Sequence, residues 1–144
     1  DTNHMIVNAV LNAKYQEAQE SGIGVTIKIN DLSGWRMAYN DVTILLANLL
    51  DNAIEAVRKI KEEEKRVISM RVYAKEDLII LQIENTCLEE TSVPEDGNLS
   101  TTKSDKNYHG YGIGSIRKIV ETYNGSLSLR KNDNMFILTA VFAR

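Results

Sequence analysis

Between Gly34 and Pro94 the chain runs without glycine or proline, its longest such stretch, and inside that stretch the hydrophobic period changes once. From Val42 to Ile60 the spacing is helical: Val42, Leu46, Leu49, Leu50, Ala53, Val57 and Ile60 form one apolar arc around a 3.6-residue turn. From Ile68 the period is two. Ile68, Met70 and Val72 alternate with Ser69, Arg71 and Tyr73, and after a turn at Lys75-Glu76-Asp77 a second strand sets Ile79, Leu81 and Ile83 inward. A helix and a hairpin that are each apolar on one side point to layered packing.

The helix has an unusual polar side. Asn48, Asn52 and Glu55 stack at i, i+4 and i+7, opposite the apolar arc. Asn is a mediocre helix former because its amide competes for backbone hydrogen bonds, so two at helical spacing either face water or serve a ligand. Asn40 or Asp41 can cap the helix, and Lys61-Glu62-Glu63-Glu64-Lys65 reads as its charged, solvated end.

Around this centre the other elements fall into order. Residues from about Met5 to Ser21 place Val7, Val10, Leu11 and Ala18 on one side and stop at Gly22, a first helix. Val25 to Asn30 alternates as a half-buried strand. After Gly110-Tyr111-Gly112-Ile113-Gly114 a helix carries Ile113, Ile116, Ile119, Val120 and Tyr123 on one face and closes at Asn124-Gly125. Ser126 to Arg130 and Met135 to Phe142 form a final hairpin around Lys131-Asn132-Asp133-Asn134. The expected fold class is α+β: a two-layer sandwich with a mixed, mostly antiparallel sheet of about five strands and three helices on one face, residues 1–144 forming one domain.

Composition narrows the function. A net charge of −3 with interspersed signs excludes the basic face of a nucleic-acid binder. No apolar run approaches the roughly 20 residues that span a bilayer, so this stretch makes no membrane contact. One cysteine, Cys87, forms no internal disulfide, and two histidines build no zinc cluster; a reducing cytoplasm fits. The chain opens at Asp1 rather than Met and is expected to be a fragment of a longer protein.

Two further features carry chemistry. Alternation puts Asn85 on the same side as Ile83, so a polar group is aimed at the interior where an apolar one is expected, although Asn also ends strands as a turn former. From Thr86 to His109 periodicity vanishes over a stretch far longer than the roughly 12–15 residues usual for a compact domain, which suggests a lid or disorder. The glycines 110, 112 and 114 at the mouth of a helix let backbone N–H groups approach an anion, or form a hinge. No buried parallel strand precedes them, as a dinucleotide fingerprint requires, and no Gly-Lys-Ser/Thr follows, as a Walker loop requires. Lys103 and Lys106 add cationic reach nearby.

Taken together, Asn48-Leu49-Leu50-Asp51-Asn52-Ala53, the polar strand end, the long loop and Gly-x-Gly before Ile116-Arg117-Lys118-Ile119-Val120-Glu121 resemble the ATP-binding domain of the GHKL superfamily, named for gyrase, heat-shock chaperones, histidine kinases and MutL. Asn8 to Lys14, Ile83-Glu84-Asn85-Thr86, Thr101-Thr102-Lys103 and His109 to Gly112 resemble the peptide-pheromone-sensing, accessory-gene-regulator type of sensor histidine kinase. The resemblance implies that Asn52 gives its amide oxygen to Mg²⁺, that Asn48 supports it, and that Asn85 accepts from the adenine amino group of ATP. It also implies that Gly110, Tyr111, Gly112 and Ile113 form the phosphate-side glycine box, and that residues 86–109 are the ATP lid, with Lys103 its phosphate contact. The γ-phosphate would pass to a histidine on upstream dimerisation helices of the same protein, then to a response regulator. The full-length protein would be a homodimer, with this part the cytoplasmic domain of a membrane-anchored sensor. Neither His4 nor His109 is expected to be the acceptor, so the isolated domain is not expected to autophosphorylate.

Departures from the family pattern matter. Asn85-Thr86-Cys87-Leu88-Glu89 lacks the glycines that shape the adenine pocket. Glu55 stands where many histidine kinases carry a phosphate-directed Lys, which leaves the lid or Arg58 to supply positive charge. Asn48 stands where hydrolytic branches place a Glu base, and an amide cannot take a proton from water, so efficient ATP hydrolysis is not expected. Two alternatives stay open: an anti-sigma-type serine kinase, and a non-catalytic nucleotide sensor or scaffold.

Overall fold

A computed structural model describes residues 2–30, 32–93 and 113–144. Among them lie three α-helices, α1 (Thr2–Glu20), α2 (Tyr39–Arg58) and α3 (Ile113–Thr122). Five strands accompany them: β1 (Gly24–Ile29), β2 (Val67–Lys75), β3 (Leu78–Thr86), β4 (Ser126–Asn132) and β5 (Met135–Ala143). The strands form one sheet in the order β1-β2-β3-β5-β4. β1 and β2 run parallel, joined by the α2 crossover, and every other pairing is antiparallel.

The alternation read from the sequence sets the layers. On β3 the side chains of Ile79, Leu81, Ile83 and Asn85 are buried while Ile80, Gln82, Glu84 and Thr86 are half-exposed. Ile68, Met70 and Val72 of β2 and Phe136, Leu138, Ala140 and Phe142 of β5 are buried in the same way. One face of the sheet therefore meets the helices and the other is open. The two hairpins turn through Glu76 and Asp133, both with positive φ, as two-residue turns demand.

α2 is the keystone of the helical layer, packing against α1, α3, β2 and β3. Contact on three sides buries a wider arc than the sequence suggests: Leu45, Asn52 and Ile54 join the expected apolar set. Leu45, Leu46, Leu49, Leu50 and Ile54 are each at most 2 % exposed. Each such side chain contributes about 1.5–3 kcal/mol by leaving water.

The start of α2 departs from expectation. Its N-cap is Ala38, with no side-chain cap, rather than Asn40 or Asp41. The Tyr123 hydroxyl, at the end of α3, does that job instead: it donates to the Asp41 carboxylate and accepts from the Ala38 N–H at 3.3 Å. Just past Tyr123 the chain passes Gly125 because a Cβ there would sit 2.7 Å from the Val141 carbonyl oxygen.

Candidate functional site

Of the residues expected to serve a ligand, the structure describes Asn48, Asn52, Asn85 and Ile113; Lys103, Gly110, Tyr111 and Gly112 lie outside the described residues. Asn52 is 7 % exposed, not on an exposed face as its opposition to the apolar arc implied. The reason is geometric: on a helix packed on three sides, the edge of the polar strip is itself covered. No side-chain partner for its amide exists among the described residues. Asn48, one turn earlier, is half-buried.

Asn85 points from the end of β3 into the helical layer and is 1 % exposed. Its Nδ2 donates to the Thr86 carbonyl at 3.0 Å. That bond fixes the amide with its oxygen turned the other way, and the oxygen has no donor among the described residues. Thr86 is itself anchored: its Oγ1 donates to the Lys65 carbonyl at 2.7 Å and accepts from the Val67 N–H at 3.1 Å.

The Asn52 amide and the Asn85 amide oxygen, buried and without a partner among the described residues, are costly at roughly 1–3 kcal/mol each unless something else satisfies them. They fit a ligand that offers a hydrogen-bond donor at the β3 end and a cation along α2. A hard divalent ion accepts amide oxygen, so the donor set agrees with Mg²⁺ at Asn52. Ile113 opens α3 with its side chain wholly buried, which leaves only its backbone to face a ligand.

The expected lid begins later than Thr86. Thr86 belongs to β3, and the following residues are tied to the β4–β5 turn: the Cys87 N–H donates to the Asn134 carbonyl at 2.8 Å, and Lys131 Nζ donates to the Glu89 carbonyl. Burial pushes the Cys87 thiol above its ordinary range. From residue 94 the expected lid lies outside the described residues.

Arg58, one of two expected sources of positive charge, is committed elsewhere. Its guanidinium donates to Ser21 Oγ at 3.1 Å and pairs with Glu17 at 3.5 Å, both on the α1 side. Lys14 pairs with Asp51 at 2.6 Å on that same flank, and this hydrogen bond raises the Lys14 pKa. On the α1 side α2 is thus charged and paired through Asp51 and Arg58, with Asn48 and Asn52 further round the helix and Glu55 between the two sets.

A cavity of about 590 Å³ lies elsewhere. It opens between the first half of α1 and the start of α2, lined by Val7, Leu11, Trp35, Met37, Val42 and Leu46. It holds none of the expected site residues, and the buried amide atoms of Asn52 and Asn85 that lack partners among the described residues are the stronger mark of a ligand. The residue that sequence reasoning missed is Arg66, whose guanidinium donates to the carbonyls of Ile60 (2.8 Å), Ser21 (2.9 Å) and Arg58 (3.4 Å). It locks the end of α2 to the end of α1, and nothing in its local sequence marks it.

Comparison with known proteins places this geometry. The nucleotide-free catalytic domain of the histidine kinase ThkA superposes with a TM-score of 0.71 at 17 % identity, over 97 % of this chain and 92 % of that one. The Acinetobacter baumannii histidine kinase AdeS gives 0.69 at 16 % identity, over 97 % of this chain and 64 % of that one. Full-length ShkA in complex with AMPPNP gives 0.70 at 12 % identity, over 99 % and 30 %. The likeness at such identities is one of fold, and the fold is that of histidine kinase catalytic domains. A probable C4-dicarboxylate sensor kinase of Bacillus subtilis (strain 168) is 27 % identical over 125 residues, 83 % of this chain but only 23 % of that protein. A profile of the GHKL domain matches residues 37–143. It covers most of the chain, including α2, both buried asparagines and the whole sheet beyond β1, and on that ground the chain belongs to the GHKL domain family.

Proposed function

We propose that this GHKL domain is the Mg-ATP-binding catalytic domain of a two-component sensor histidine kinase, of the peptide-sensing, accessory-gene-regulator type. The observation that carries the reading is a pair of buried asparagines, Asn52 on α2, whose amide has no partner among the described residues, and Asn85 at the end of β3, whose amide oxygen has none. Likeness to sensor kinases in sequence and fold supports it. The finer assignment rests on the wording of Asn8–Lys14 and Ile83–Thr86, together with Thr101–Lys103 and His109–Gly112.

In this reading Asn85 Oδ1 accepts from the adenine amino group, its orientation set by the Thr86 carbonyl. Asn52 gives its oxygen to Mg²⁺ with Asn48 in support, and Lys103 with the Gly110–Ile113 segment serves the phosphates. The metal, when bound, neutralises phosphate charge and orients the chain of phosphates. The acceptor is a histidine on the upstream dimerisation helices of a homodimeric, membrane-anchored protein, and a response regulator receives the phosphoryl group next. Asn48 offers no base for water, and Glu55 lies seven residues, about 10 Å, further along the helix axis. Transfer to a nucleophilic imidazole needs no base on this helix, so kinase chemistry survives where hydrolysis does not.

The test supplies the upstream helices in trans with labelled ATP and Mg²⁺. An acid-labile phosphohistidine on those helices is the expected result. Acid-stable phosphoserine on a separate protein would instead identify a serine kinase, and ATP binding without any transfer would identify a scaffold.

A further inference from the structure

Mg²⁺ is usually held by one or two carboxylates and its own waters, yet Asn48 and Asn52 are both neutral. The same strip of α2 carries one carboxylate without a partner. Glu55, one turn past Asn52, is half-buried and makes no hydrogen bond or ion pair among the described residues. The other acids of α2 are spoken for: Asp41 accepts from Tyr123, and Asp51, one turn before Glu55 on the same side of the helix, pairs with Lys14. The cations of α2 do not offset it either. Arg58 is held by Ser21 and Glu17, and Lys59, a turn further on, forms no ion pair with it.

A lone carboxylate beside a polyphosphate raises the energy of the metal-free anion and lowers that of its metal complex. We propose that Glu55 is the residue that makes this site selective for metal-bound nucleotide, helping Asn52 hold the hydrated divalent cation and turning away nucleotide without it. The inference rests on the reading of the α2–β3 site as a Mg-ATP site. A Lys at this position would attract phosphate whether or not a metal is present, whereas Glu55 attracts it only through the metal.

The test is calorimetric titration of the chain with ATP, once in excess Mg²⁺ and once in EDTA, for the wild type, Glu55→Gln, Glu55→Lys and Glu55→Asp. The affinity ratio between the two conditions is expected to fall about tenfold in Glu55→Gln and further in Glu55→Lys, mainly through tighter binding of metal-free ATP. Glu55→Asp keeps the charge and should retain most of the ratio. Melting temperatures should not move, since Glu55 makes no contact that folding needs. An unchanged ratio in Glu55→Gln overturns the proposal while leaving the nucleotide site intact. A wild type that binds no ATP under either condition overturns the site reading itself.

Discussion

Single residues carry the ligand argument because each buried polar atom has to be accounted for. Asn85 was legible from the chain alone: period two fixes which face a strand residue occupies, so a polar residue in phase with Ile83 had to point inward. Asn52 was half legible. Helical spacing gave its neighbours Asn48 and Glu55, but its burial depends on what packs beside α2, which a helical wheel does not contain. Tyr123 was legible only as an apolar-face residue of α3. Its bond to Asp41 spans 82 positions, and it displaces the local capping that Asn40 or Asp41 would otherwise provide. That bond makes a pH prediction. Hydrogen bonding to Asp41 raises the Tyr123 hydroxyl above its usual value of about 10, so the stabilisation is complete below that pH and is lost as pH rises through the folded value. Tyr123→Phe should therefore melt below the wild type at pH 7, and the gap between the two should close in scans carried above pH 10. A gap that persists at alkaline pH would assign the effect to ring packing instead.

Elements were easier to read than their joints. Every helix and strand follows from a period and a stop signal, with boundaries displaced by a few residues where tertiary pairing extends a strand, as at Ser126–Asn132. The joint between α1 and α2 was not readable, because Arg66 acts on carbonyls brought together only by the fold. Its side chain is 15 % exposed and satisfies three backbone oxygens at the ends of both helices. Arg66→Ala should leave those carbonyls short of partners and cost about 2–3 kcal/mol, which denaturant unfolding followed by circular dichroism would measure. A loss below about 0.5 kcal/mol would show that water replaces the guanidinium without penalty.

Across the whole molecule, the α+β sandwich was legible because hairpins and crossover length leave few topologies: β2–β3 and β4–β5 are adjacent in sequence, and the α2 crossover is long enough to make β1 and β2 parallel. The strand order, with β5 inside β4, was not, since nothing local says which strand of the last hairpin pairs with β3. The fold packs α2 against β3 and sets its charged residues Asp51 and Arg58 against α1, with Asn48 and Asn52 further round the helix. The account therefore centres on Asn52, whose position makes a direct test possible. An unpartnered buried amide contributes little to folding, so Asn52→Ala should fold with an unchanged or slightly raised melting temperature. Titrating wild type and Asn52→Ala with ATP in the presence of Mg²⁺ measures the claim: saturable binding by the wild type, lost in the folded variant, is the predicted result. Equal Mg-ATP affinity in the two proteins would contradict it.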